Sequence, residues 1–123
     1  MNSPTSKRVL IVEDEALLAM QLEDLLIDLG HEVVGLATRI GIAIELARES
    51  RIDFAILDIN VGGTTSFPVA DILHQRGIRF VFATGYGVDG LMDGYRDATV
   101  LQKPYAREDL ERAIARASCG AVQ

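Results

Sequence analysis

Apolar residues recur along this chain in two alternating rhythms: short unbroken runs, and longer stretches with helical spacing. Val9 to Val12 is an unbroken run, which reads as a strand buried on both faces. From Ala16 to Leu29 the positions Leu18, Leu22, Leu25, Leu26 and Leu29 repeat at helical spacing, and Gly30 stops the helix. Val33 to Ala37 predicts a second strand. Gly41 to Ser50 predicts a second helix that packs through Ile44, Leu46 and Ala47, with Thr38 as its N-cap. Phe54 to Leu57 predicts a third buried strand, ended by Asp58. Asn60 to Ser66, rich in Gly and Thr, predicts a loop. Val69 to Gln75 predicts a helix that begins near Pro68 and closes at Gly77. Phe80 to Ala83 and Thr99 to Gln102 predict the fourth and fifth strands. Ala106 to Ser118 predicts a last helix with Leu110, Ala113, Ile114 and Ala117 on its apolar side. Between the last two strands, Gly85, Gly87, Gly90 and Gly94 crowd the place where the alternation asks for a helix. Each interior glycine costs about 1 kcal/mol relative to alanine, so a fourth helix there is expected to be short or loosely held.

Five strand–helix units predict an α/β fold: a parallel sheet with helices on both faces, because such crossovers are right-handed and the strands need cover on both sides. The 123 residues fit one domain, 1–123, with an expected core from about residue 7 to 118, and no output domain is expected after the last helix. Hydrophobic residues are 49% and charged residues 24%, the balance of a globular protein, and no apolar run approaches the ~20 residues needed to cross a bilayer. Met1 to Lys7 lacks the apolar segment of a signal peptide, so the cytoplasm is the expected compartment and no membrane partner is expected. The net charge of −6 disfavours nucleic acid, which is bound by basic side chains. Cys119 is alone and has no partner for an internal disulfide.

In an open parallel sheet, ligands bind beyond the carboxyl ends of the strands. Glu13, Asp14 and Glu15 follow the first strand, Asp58 and Asn60 the third, Thr84 the fourth, and Lys103-Pro104 the fifth. Carboxylates, a hydroxyl and an ammonium therefore converge on one edge. Two carboxylates about 4 Å apart repel by on the order of 4 kcal/mol at an effective dielectric of ~20, and a divalent cation relieves that repulsion. All the candidate ligands are oxygens, which favours a hard ion such as Mg²⁺. Glu15 reads as an acid at a helix start.

These residues resemble the receiver domains of response regulators, from Val9 to about Ala117. The motifs that carry the resemblance are Glu13-Asp14, Asp58, Thr84 and Lys103-Pro104, in order and at these spacings. The resemblance implies a flavodoxin-like fold with strand order 2-1-3-4-5. It implies that Asp58 is the phosphoacceptor, and that Asp14, Asp58 and the backbone carbonyl of Asn60 bind Mg²⁺. Glu13 would act through a metal-bound water, and Thr84 and Lys103 would contact the phosphoryl group. Such domains catalyse their own phosphorylation and slow dephosphorylation and turn over no external substrate. The implied donor is a sensor histidine kinase or a phosphotransfer protein, and a monomer is expected. The run Phe82-Ala83-Thr84-Gly85-Tyr86 is similar to the subgroup named for its FATGUY sequence, which implies a kinase of the HWE or a related family.

Two departures stand out. Many receivers carry proline where Gly62 stands, and Val100 occupies the position of a switching aromatic, so coupling between a ring and Thr84 is not expected in its usual form. Tyr86 is a candidate to take that part and, with Asn60, to tune phosphate lifetime. The segment from Gly85 to Gly94 is the candidate mobile element. A phosphatase of the haloacid-dehalogenase type would want an acid where Asn60 stands, and an unphosphorylated binding module would not need the full set. His31 and His74 lie at no strand end and read as surface residues.

Overall fold

The computed structural model describes residues 6–85, 99–103 and 105–119. Among the described residues, seven strands and four helices follow in the order β1 (Arg8–Val12), α1 (Ala16–Asp28), β2 (Glu32–Ala37), α2 (Ile40–Glu49), β3 (Phe54–Asp58), β4 (Asn60–Val61), β5 (Thr64–Thr65), α3 (Phe67–Gln75), β6 (Arg79–Thr84), β7 (Val100–Gln102) and α4 (Arg107–Cys119). Five strands form one sheet in the order β2-β1-β3-β6-β7, all parallel. Counting only these five along the chain gives the expected 2-1-3-4-5. Gly30 and Gly77 lie just past the ends of α1 and α3. Paired backbone bonds close each end, His31 N–H to Leu26 O and Gly30 N–H to Ile27 O at the first, Ile78 N–H to Leu73 O and Gly77 N–H to His74 O at the second.

The unbroken apolar runs are explained by cover on both faces of the sheet. Leu10, Val12, Ala55, Leu57 and Phe82 face α2 and α3, meeting Ala43, Ala47, Val69, Ala70 and Leu73. Val9, Ile11, Phe54, Ile56, Val81 and Leu101 face α1 and α4, meeting Ala19, Leu22, Leu26, Leu110, Ala113 and Ile114. Each strand thus feeds both cores by simple alternation. Phe82 makes edge-to-face contacts with Phe67 and Phe80, at centroid distances of 5.6 and 5.5 Å. Val100 packs partly buried against this same cluster, in register with Phe82.

Several expectations need correction. Thr38 is not the N-cap of α2. That position falls to Arg39, which makes no side-chain cap, so the helix start rests on packing. Residues 60–66 are not all loop, because β4 and β5 pair antiparallel as a small hairpin across Gly62-Gly63. Asp58 and Thr84 are the last residues of their strands, not the first beyond them. Leu18, one of the five leucines at helical spacing, is 38% exposed, because the buried stripe of α1 runs through Ala19, Leu22 and Leu26. His31 is half-buried, not on the surface: its Nδ1 accepts the Lys7 N–H at 3.0 Å. His74 is exposed as expected. The expected fourth helix, Tyr86 and Pro104 lie outside the described residues, as does the candidate mobile segment beyond Gly85. No described helix is long and apolar enough to cross a membrane.

Candidate functional site

The strand alternation that builds the core also aims the charged groups. Val9 and Ile11 precede Glu13 on one side of the sheet, Phe54 and Ile56 precede Asp58, and Leu101 precedes Lys103. All three charged residues continue rows that pack against α1 and α4. β6 separates β3 from β7, and Asp58 lies in register with Ala83 on it. The small Ala83 side chain leaves the Lys103 chain room to cross this strand. The Lys103 backbone is fixed by its own N–H, which donates to Thr84 O at 2.8 Å.

The Lys103 ammonium ends 2.7 Å from Asp58 Oδ1 and 2.8 Å from Glu13 Oε1. Glu13 and Asp58 are buried, at 5% and 7% exposure, and Thr84 is buried at 6%. Glu13 is also held by the Glu15 N–H, which donates to its Oε2 at 3.0 Å. Asp14 is exposed, and its Oδ2 accepts the Gly62 N–H at 2.9 Å. Ligand oxygens of Glu13, Asp14 and Asp58 all lie within 4.8 Å of one another. Asn60 opens β4 two residues after Asp58 and pairs with Thr65. The side chains expected at the site are therefore brought together at one end of the sheet, with Asn60 on the adjoining hairpin.

Electrostatics follow from burial. Desolvation pushes the Asp58 carboxyl up to about 7. The hydrogen bond and charge of Glu13 add to that rise, and Lys103 opposes it. Burial alone would lower the Lys103 ammonium, yet its two carboxylate partners, Asp58 and Glu13, raise it above its ordinary value and so favour the charged form. One ammonium thus faces two buried carboxylates with a third beside them. The excess negative charge suits a hard divalent cation, and the donor set is all oxygen.

Sequence reasoning missed three features. The direct Glu13–Lys103 pair could not be read from spacing. Tyr105, two residues past Lys103, lines a groove of about 450 Å³ with Leu18, Leu22 and Leu25, and the groove opens onto Glu13 and Lys103. Burial pushes its hydroxyl up to about 12. The Gly62 contact to Asp14 was missed too, although Gly-Gly between Asn60-Val61 and Thr64-Thr65 is a recognisable two-residue hairpin signal.

A five-stranded parallel α/β sheet gathers acids and a lysine at its carboxyl end. The response regulator receiver domain family matches residues 9–115, and the chain belongs to it. It resembles the solution structure of SdrG from Sphingomonas melonis Fr1, with 42% identity, a TM-score of 0.83 and coverage of 94% of this chain and 99% of that one. It also resembles the receiver domain of PhyR from Erythrobacter litoralis, with 33% identity, a TM-score of 0.80 and coverage of 92% and 90%. Transcriptional regulatory protein PdtaR of Mycobacterium tuberculosis is 36% identical over 112 residues, 88% of this chain and 55% of that protein. The chain spans about half the length of the curated relatives it matches first.

Proposed function

We propose that Asp58 accepts a phosphoryl group in a Mg²⁺-dependent reaction, and that the chain signals in this way as a response regulator. The observation that carries the reading is the Lys103 ammonium 2.7 Å from Asp58, inside a cluster of three carboxylates. The Asp14 and Asp58 carboxylates and the Asn60 carbonyl are the proposed ligands of Mg²⁺, with Glu13 holding a bound water. Mg²⁺ supplies charge neutralisation for the transferred oxygens. Asp58 supplies the nucleophile: one carboxylate oxygen forms the new P–O bond as the bond from phosphorus to the donor's leaving atom breaks. Lys103 stays charged and follows the negative charge from the Asp58 carboxylate to the phosphoryl oxygens. The Thr84 hydroxyl donates to the same group.

The donor under this reading is a sensor histidine kinase of the HWE or a related family, or a phosphotransfer protein. The run from Phe82 to Tyr86 supports a reading of the chain as a member of the FATGUY subgroup. Output passes by protein contact or by onward phosphotransfer, in the cytoplasm, from a monomer.

Intact-mass spectrometry after incubation with acetyl phosphate tests the reading. The expected result is an adduct of about 80 Da, one PO₃ unit, that requires Mg²⁺ and is absent in Asp58→Ala. An adduct that persists in Asp58→Ala would overturn it.

A further inference from the structure

We infer that Gly62 is a positioning residue for the metal, holding the Asp14 carboxylate in its ligating orientation through a backbone N–H. The inference rests on the proposed Mg²⁺ site. Asp14 differs from the other two acids of the cluster. Glu13 and Asp58 are buried and held by Lys103, whereas Asp14 is exposed on the turn between β1 and α1. An exposed carboxylate rotates freely unless something fixes it, and ordering it on metal binding then costs entropy. Here Oδ2 accepts the Gly62 N–H at 2.9 Å. One oxygen is thereby fixed and the other remains for a cation.

The hairpin explains why this N–H is available. Val61 pairs with Thr64, so Gly62 and Gly63 form a two-residue turn with φ of +60° and +84°. Both central residues are left-handed, as the favoured tight hairpin turn requires. The Gly62 N–H sits at the tip, outside the β4–β5 pairing, and the turn directs it toward Asp14. Proline cannot replace it: φ near −65° does not fit +60°, and proline has no N–H. A Cβ built at Gly62 meets nothing within 4 Å, so the constraint there is the backbone conformation and not space.

Outer hydrogen-bond partners of metal ligands are worth about 10- to 100-fold in affinity. The effect is also reciprocal: if the hairpin favours the cation, the cation must steady the hairpin by the same factor. The chain therefore couples the metal to the segment between β3 and α3.

Calorimetric Mg²⁺ titration of the full chain tests this, with Gly62→Asn, Gly62→Val and Gly62→Pro alongside wild type. Asn keeps the N–H and tolerates left-handed φ, while Val resists it. The expected result is an affinity within about twofold of wild type for Gly62→Asn and about tenfold weaker for Gly62→Val and Gly62→Pro, at matched circular dichroism. Amide exchange supplies the second readout. Exchange at Gly62 should speed up in metal-free Asp14→Ala and slow down in wild type on adding Mg²⁺. Wild-type titration without heat would overturn the Mg²⁺ reading itself. Wild-type binding with unchanged affinity in a folded Gly62→Val would overturn the role of Gly62 alone.

Discussion

The two ends of the sheet handle charge in opposite ways. At the amino ends of the strands the polar groups close on themselves. Arg8 N–H donates to Asp53 Oδ2 at 2.9 Å, and Asp53 N–H donates to Arg8 O at 2.8 Å. Lys7 N–H donates to His31 Nδ1, Glu32 N–H donates to Lys7 O, and the Arg8 guanidinium lies 3.8 Å from Glu32. Beside them, the Arg76 guanidinium donates to Ala47 O and Ser50 O at 2.6 and 2.9 Å, satisfying carbonyls at the end of α2. At the carboxyl ends, one ammonium serves two buried carboxylates, and a third acid stands next to them. The first arrangement is complete within the chain. Among the described residues the second is left with a negative excess, which a divalent cation would offset. Self-contained pairing is gathered at one end of the strands and the candidate site at the other.

The sharpest way to break this comparison is at Asp58. Asp58→Asn should remove the phosphoryl adduct completely, while raising the melting temperature of metal-free protein by about 4 °C, as expected when roughly 1 kcal/mol of repulsion is relieved in a domain of this size. Asp53→Ala, at the other end, should lower it, because the Arg8 N–H loses an acceptor. Calorimetric scans in a chelator decide it, and shifts of the same sign would erase the distinction. Next in size is Lys103→Met, expected to slow labelling by acetyl phosphate about 100-fold, because charge on the transferred oxygens loses a fixed cation. Time-resolved intact mass reads this rate. Arg76→Ala should cost about 1 kcal/mol in a urea unfolding curve by releasing two helix-end carbonyls, with labelling unaffected.

The smallest effect sharpens the comparison through pH. Burial and the neighbouring Lys7 charge lower the His31 pKa, so the folded state resists a proton that the unfolded state accepts. Stability from this end should therefore fall as pH drops below 6.5, and His31→Gln should flatten the fall. Asp58 acts with the reverse sign in metal-free protein. Its folded pKa is raised from 3.8 to about 7, so the folded state holds the proton longer, and stability should decline as pH rises across that interval. Urea midpoints followed from pH 4 to 8 in wild type, Asp58→Asn and His31→Gln would separate the two slopes.

Much of the fold was legible along the chain because the parallel strands are buried on both faces and so appear as unbroken apolar runs. Val9–Val12 and Phe54–Leu57 stand out for that reason, and all five sheet strands lie within a residue or so of their predicted places. Helix ends were legible where a glycine follows them, as at Gly30 and Gly77. Thr38 misled because N-cap preference is a local tendency: the cap falls one residue later, at Arg39, where Ile40, Ala43 and Ala47 begin to pack. Leu18 shares the helical spacing yet stays exposed, because five leucines in one stretch outnumber the positions that a single helix face can bury.

The sequence by itself determined which residues end the strands, and strand ends in a parallel sheet share one edge. On that ground Glu13, Asp14, Asp58, Thr84 and Lys103 could be placed at one edge of the sheet. Only the tertiary structure decided how they meet. Lys103 reaches across β6 over Ala83 to bridge Asp58 and Glu13, and a two-glycine turn brings a backbone N–H onto Asp14. Spacing along a chain fixes which edge a side chain reaches. Pairing distances, burial and charge balance arise between segments 45 to 90 residues apart, and these exist only once the sheet has closed the register between them.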